Sequence, residues 1–551
     1  MEVQTTWVKP PSQIGGLDHL AVQAPCINLY GRMLPGVTNV TDRARYYSFY
    51  PWVVWALEQK GFTKFNDTFV DRYRKADCLF TLIAWRHSQV GGEKEISHSA
   101  ATIGSDNLSK QIADVREGKS ICLSDYSHRD KDRHKYFKNK LGGLGQYYLG
   151  VFSGLNIMDG TVGTGIKYTN QIGKVIAYAM DESVLRDLFL NTIEEDRVTP
   201  DRLAELSCFC PCQLTDSHKE HALLCDLFFV KGLFFEMDML PRRRTLQTIL
   251  YLADFLAEQG ASIDLIHFRG CTYGNALMHA EKWELPANLQ VNRKKWAIYQ
   301  RNELLSIAVQ GLFYALLDTY EASGHRFETI EDLCQWFTAT PEVEQAADFF
   351  GLETEVGTLE RNCSEWLPRL GDWAHPEHEI QLAKRVVNLC DKEKTTANRA
   401  EIIQDCLKIL LALKTRTESA EAYGEFIFPG NYFQVYPINL KSFLSFSQRD
   451  WRKLSTREWI AWLCNHWGVN THLRVAIRKL RGQSQSTFRI RPSDRENDQG
   501  LEVIDVPKSV FTSPRFNQAL TILKDIGALV KDGDNWVTSD LGKQLKELTD
   551  D

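Results

Sequence analysis

No stretch of this 551-residue chain approaches the ~18 to 20 consecutive apolar residues that a membrane span needs. Met1 to Gln13 has no charged-then-apolar order and no cleavage pattern, so a signal peptide is not expected. There is no excess of positive charge: Lys+Arg number 65 and Asp+Glu 71, a net charge of −6. A uniformly basic binder is thereby excluded, and any nucleic-acid site must be a local patch. An even cysteine count is missing too. Thirteen cysteines, several of them single in amphipathic patterns (Cys334, Cys390, Cys406, Cys464), point to reduced, buried thiols in a cytoplasmic protein, not to a disulfide framework. Common catalytic signatures are absent. There is no GxxxxGK[ST], since Gly118-Lys119-Ser120 lacks the upstream glycine, and no GxSxG, HExxH or EF-hand loop. The expectation leans away from an enzyme.

Composition is that of a globular protein, with 43% hydrophobic, 25% charged and 11% aromatic residues. Apolar spacings of three and four dominate, which predicts a mainly α, multi-domain protein. Helices are expected over 41–60, with Thr41 or Asp42 as cap and Pro51 kinking or splitting it, and over 66–88, 242–258, 293–322 and 380–414. Strand-like alternation is scarce outside 425–436. The expected organisation is an N-terminal helical region (1–127), a ribbon-bearing module (128–182), a helical domain (183–337), a peripheral helical region and linker (338–450) and a C-terminal helical and ribbon-bearing domain (451–551).

Two distant segments echo each other. Tyr168-Thr169-Asn170-Gln171-Ile172-Gly173-Lys174 lies against Val537-Thr538-Ser539-Asp540-Leu541-Gly542-Lys543. Each reads as a helix ending at glycine, a short apolar strand, a Gly-rich turn, a returning strand, and a last helix capped by Thr169 or Thr538. The pattern resembles the winged-helix module over about 50 residues at each place. That resemblance implies either a DNA reader or a protein-contact adaptor.

Positive charge gathers just upstream of both echoes. Arg129, Lys131, Arg133, Lys135, Lys138 and Lys140 outnumber Asp130 and Asp132 by four; Arg474, Arg478, Lys479, Arg481, Arg489, Arg491 and Arg495 outnumber Asp494 by six. Arg474, Arg478 and Arg481 recur at i, i+4 and i+7, opposite Leu473, Ala476, Ile477 and Leu480, a stripe suited to successive phosphates. The alternative is a solvated or ion-paired face. Arg242-Arg243-Arg244 opens a helix, where the dipole disfavours cations, and hints at an anionic partner.

CFCPCQLTDSHKEHALLC holds Cys208, Cys210, Cys212, His218, His221 and Cys225, the residue types zinc prefers, so a structural zinc is the candidate cofactor. The alternative is a Pro-containing turn with small buried thiols. His375 and His378, after Cys363, form a lesser candidate. Arg129 and His134 resemble the RNA-cutting motif of HEPN helical domains, in which the Arg binds the scissile phosphate and the His assists proton transfer. Glu502, Asp505 and Lys508 resemble metal-dependent nuclease strands. Finally, LPGVTNVTDRARYYSFYPWVVWAL (34–57) and REWIAWLCNHW (457–467) resemble segments of large bacterial proteins encoded beside antiphage-defence genes. The leading expectation is a non-catalytic nucleic-acid-binding subunit, with DNA as the expected partner, of a larger bacterial complex. An RNase or nuclease effector and a protein-interaction scaffold are the alternatives.

Overall fold

The computed structural model describes residues 18–90, 97–129, 137, 139–160, 165–277, 281–416, 436–480, 487–493 and 500–550. The chain is mainly helical, and among the described residues its strands form four two-stranded antiparallel ribbons. No described helix is long and apolar enough to cross a membrane. The chain divides into two compact units. One takes the residues up to Tyr30, 266–284 and 293–514; the other takes 31–265, 285–292 and 515–551. The stretch 451–551, expected as one domain, is thus shared between them. The segments expected to hold strand alternation (425–435) lie outside the described residues.

The second unit holds both echoed segments, and they do share a structure. In the first, a wide-turn stretch Leu144–Tyr148 runs into helix Leu149–Gly154, strand Met158–Asp159 pairs with Lys167–Tyr168, and helix Gly173–Asp181 follows. In the second, helix Phe516–Asp525 leads to strands Leu529–Asp532 and Asn535–Thr538 and then to helix Asp540–Lys546. The local chemistry repeats in detail. A left-handed residue, Asn156 or Gly527, ends the first helix. Its carbonyl accepts from the Thr169 hydroxyl at 2.5 Å or the Ser539 hydroxyl at 2.6 Å. The same hydroxyls accept from the amides of Gly173 and Gly542, at 2.9 and 3.0 Å. The sequence reading of Thr538 as the second cap is corrected. The second copy has one residue fewer before its glycine, so Ser539 takes that place and the Thr538 hydroxyl bonds Asp254 at 2.6 Å.

Both glycines are required by close approach. A Cβ on Gly173 would lie 2.1 Å from the Ile157 carbonyl oxygen, and one on Gly542 2.1 Å from that of Ala528. Gly173→Ala is expected to destabilise the unit by about 3 kcal/mol, as overpacking against unyielding backbone does. A thermal midpoint equal to that of the wild type contradicts this.

Each module docks on a long helix through its last helix and returning strand: the first on Tyr46–Gln59, the second on Leu240–Glu258. An offset of 199 residues superposes these two helices in sequence, placing Arg43 on Arg242, Trp52 on Tyr251 and Gly61 on Gly260. The anchoring repeats as well. Trp52 Nε1 donates to Asp181, at the end of the first module, and the Tyr251 hydroxyl to Glu547, at the end of the second. The unit thus holds one arrangement of long helix, ribbon and closing helix twice, and the residues of the other unit intervene in sequence within the second.

Helix Tyr46–Gln59 is buried at every position from Tyr46 to Leu57, as an all-round apolar helix must be. It stays one helix despite Pro51. Neither Thr41 nor Asp42 caps it. The Thr41 hydroxyl accepts from Thr38 N, and the Ala44 amide is taken by Asp525.

In the other unit, the part of helix Ala287–Ser323 from Arg293 onward supplies apolar side chains from Leu304 to Leu317, and Glu379–Leu389 packs on Thr396–Arg416. The single helix expected over 380–414 is split at 390–395, where Thr395 accepts from Asn398 N and starts a new helix. Arg385 spans the pair to Asp405 at 2.6 and 2.7 Å.

His472, in the same unit, donates from Nδ1 to the His19 carbonyl and accepts at Nε2 from Arg489 N. Burial, with Arg489 and Lys479 nearby, depresses its pKa to about 4. The unfolded imidazole takes its proton near pH 6.5, so this contribution to stability is complete above that pH. It is lost as pH falls towards 4, about 3 kcal/mol in all. The thermal midpoint of His472→Gln should therefore fall less steeply than that of the wild type between pH 6.5 and 4. Parallel curves contradict the assignment.

Candidate metal centre

Cys210 precedes Pro211, whose ring disfavours helical backbone before it, and Cys210 is extended at φ −58°, ψ 138°. Short 3-10 turns, Ser207–Phe209 and Pro211–Asp216, flank it. Phe209 anchors the knuckle, its ring 4.4 Å from that of Phe189 and 5.1 Å from that of Trp52. This brings Cys210 and Cys212 against Ala84, one turn before His87 in helix Asp67–Val90. The small alanine leaves room for two sulfurs. His98, on a bend after that helix, completes the group.

Four donor atoms converge. His87 Nδ1 and His98 Nδ1 are 3.0 Å apart. Cys212 Sγ lies 3.4 Å from His87 Nδ1, 3.3 Å from His98 Nδ1 and 3.5 Å from Cys210 Sγ. Cys210 Sγ is 3.5 Å from His98 Nδ1. At that sulfur separation there is no disulfide, and all four residues are buried. A tetrahedral ion with bonds of about 2.3 Å to sulfur and about 2.05 Å to nitrogen has edges of about 3.8 Å (S to S), about 3.5 Å (S to N) and about 3.3 Å (N to N). The five edges given above agree to within about 0.4 Å. The donor set also suits a cation chemically. Burial pushes the Cys210 thiol up, so thiolate forms there only if a positive charge shares the site.

Two arginines secure the two ligand-bearing loops. Arg43 donates to the carbonyls of Ser97 and Ala100, on either side of His98, at 2.8 and 2.7 Å, and pairs with Asp525 at 2.9 Å. Arg45 donates to the carbonyls of Cys208 and Cys210, both at 2.6 Å, and forks onto Glu220 at 3.2 and 3.1 Å. Both guanidinium groups are buried. Ser48 donates to Glu220 at 2.5 Å, so that carboxylate is well satisfied.

Of the ligands expected from sequence, Cys210 and Cys212 belong to this centre. Cys208, His218 and His221 do not. Cys208 contributes its carbonyl to Arg45, and His218 is exposed at the start of helix His218–Phe228. His221 Nε2 sits 2.8 Å from the Ile526 carbonyl and 3.5 Å from Cys225 Sγ, a local i, i+4 pair. His375 and His378 each accept a nearby backbone amide, from Glu377 and Ile380. His87, His98, Arg43 and Arg45 were not singled out as site residues by sequence. No local spacing marks them, because the histidines lie more than 100 residues from the cysteines they meet.

No family model, curated protein or solved structure matches this chain.

The basic residues are placed as follows. Arg129 pairs with Asp67 at 2.9 Å, while His134, Lys135, Lys138 and Arg481 lie outside the described residues. Arg474 is exposed and Arg478 half-buried on helix Asn470–Leu480. Of the expected apolar face Ala476 is buried but Ile477 is 53% exposed; the helix also buries Thr471, His472 and Val475. Arg489 is bound to Asp505 at 2.6 Å, and Arg491 to Glu502 at 2.9 Å. Lys508 pairs with Asp391, so Glu502, Asp505 and Lys508 do not meet at one site. Arg242 and Arg243 need no foreign anion. They collect the carbonyls of Leu227, Phe228, Phe229 and Val230 at the end of helix His218–Phe228, where the dipole favours cations.

Proposed function

We propose that the chain is a zinc protein whose Cys2His2 centre is structural, and that it works as a binding subunit with nucleic acid as partner. The ligand geometry carries the first part. Two thiolates and two imidazoles, five of whose six separations fit a tetrahedron, favour zinc among common ions, and four protein donors leave no open position for substrate. His87 and His98 would bind through Nδ1, Cys210 and Cys212 through Sγ. The ion would tie the end of helix Asp67–Val90 to the Cys-Pro-Cys knuckle. Replacement of the metal by cobalt(II) tests this. A thiolate-to-cobalt charge-transfer band with strong tetrahedral ligand-field bands supports the assignment, and an octahedral spectrum overturns it.

The nucleic-acid part is supported by the paired helix–ribbon–helix modules and by exposed Arg474. Arg489 and Arg491, committed to Asp505 and Glu502, are withdrawn as phosphate contacts. The setting in bacterial defence and in a larger assembly belongs to the same proposal and rests on the 34–57 and 457–467 resemblance.

A further inference from the structure

We propose that the loop 231–239, between helices His218–Phe228 and Leu240–Glu258, is a docking site for a partner protein that offers an apolar cleft edged with lysine or arginine. The inference goes beyond the zinc and nucleic-acid readings and holds without either. The stretch Leu233-Phe234-Phe235-Glu236-Met237-Asp238 buries only Phe234 of its four apolar residues. Leu233, Phe235 and Met237 are 53%, 44% and 73% exposed, and Met237 is the most exposed large hydrophobic side chain among the described residues. Apolar side chains gathered in solvent and interleaved with polar ones mark a contact site. The loop is also fixed in shape. Buried Val230 takes φ +54°, a left-handed conformation costly for a β-branched residue, and Arg243 holds its carbonyl. Phe234 anchors the loop inward, and two turns close it: Phe235 N donates to the Gly232 carbonyl at 3.2 Å, Met239 N to that of Glu236 at 3.0 Å. Phe235 and Glu236 are extended, with ψ 115° and 129°, which sets Phe235 and Met237 to one side and Glu236 to the other. A loop set in this way loses little freedom when a partner closes on it.

Charge chooses the occupant. Glu236 and Asp238 are exposed, and neither carboxylate has an ion-pair partner among the described residues. Arg242, the cation that Glu236 influences, is buried and committed to the carbonyls of Pro35, Leu227 and Phe228. Lys231, at the foot of the loop, pairs with Asp226 at 3.4 Å. A phosphate backbone or an anionic lipid surface would therefore meet two uncompensated carboxylates. A second copy presenting the same loop would bring four together, and like charges set face to face oppose association. An apolar cleft with a cationic edge covers the three exposed side chains and compensates both acids.

Fluorescence anisotropy tests the proposal, with a labelled amphipathic peptide of leucine and lysine as the probe and its leucine–glutamate counterpart beside it. Phosphatidylglycerol vesicles and light scattering of the chain alone supply the other arms. The full-length chain should bind the lysine peptide and not the glutamate one. Met237→Asp, a surface change, should weaken that binding at least about tenfold, and Met237→Leu should retain it. Glu236→Lys combined with Asp238→Lys should weaken it to a similar degree. The proposal is overturned by no binding of the lysine peptide, by equal binding of the two peptides, by wild-type affinity in Met237→Asp or in the double variant, or by a loss in Met237→Leu as large as in Met237→Asp. Vesicle binding that Met237→Asp removes, or a wild-type dimer that it dissolves, overturns it in favour of a lipid surface or a second copy.

Discussion

Cys212→Ser is expected to abolish stoichiometric metal binding and to lower the stability of the second unit by at least about 5 kcal/mol. The sulfur of Cys212 is the hub of the centre, within 3.5 Å of the other three donor atoms. A serine hydroxyl is a poor zinc ligand and is shorter than the thiolate. Structural zinc sites contribute about 10 to 16 kcal/mol of apparent binding free energy, most of it realised as folding free energy. The surroundings sharpen the loss. Without the ion, four polar donors stay crowded together in the interior beside Ala84. Thermal denaturation with and without a chelator checks this. The wild-type midpoint should drop on chelation to that of the variant, and the variant should not respond. A chelator-insensitive wild type contradicts the account.

Arg45→Met is expected to cost about 3 to 5 kcal/mol and to weaken metal binding 10- to 100-fold. The single guanidinium satisfies two carbonyls of the knuckle and one carboxylate, all with Arg45 and Glu220 at 1% and 0% side-chain exposure. Removing it leaves Glu220 charged and unpaired in the interior, the costly half of a broken buried pair. It also frees the Cys-Pro-Cys turn to move, and residues that orient metal ligands typically matter by this factor. A second change distinguishes the two effects. Arg45→Met with Glu220→Leu should recover stability relative to Arg45→Met alone, because no buried charge remains, but should not recover metal affinity. Equal affinity in the single variant and the wild type contradicts the positioning role.

The sequence was most legible where information is local. The periodicity over 242–258 matches helix Leu240–Glu258, and the echo around Gly173 and Gly542 marks two glycines with the same 2.1 Å constraint. The cap was misplaced by one residue only because the second copy is shorter there. The centre was half legible. Two cysteines around a proline announce themselves, but their neighbours in sequence, His218 and His221, sit on a helix that leads away. The true partners depend on how helix Asp67–Val90 packs, which no spacing encodes. Charge patterning misled for a related reason. A run of arginines shows its own sign and not its counter-ions. Arg491 finds Glu502 across a ribbon, and Arg242 and Arg243 find the carbonyl end of a helix preceding them. Arg43 and Arg45, within the stretch 41–60 expected to be helical, hold the two loops of the centre.

Elemental analysis of the full-length chain, purified without added metal, tests the central claim most directly. The account predicts one zinc per chain, falling to none when Cys210 and Cys212 are both replaced by serine. Zinc-free wild-type protein that is fully folded, or zinc retained by the double variant, would contradict it.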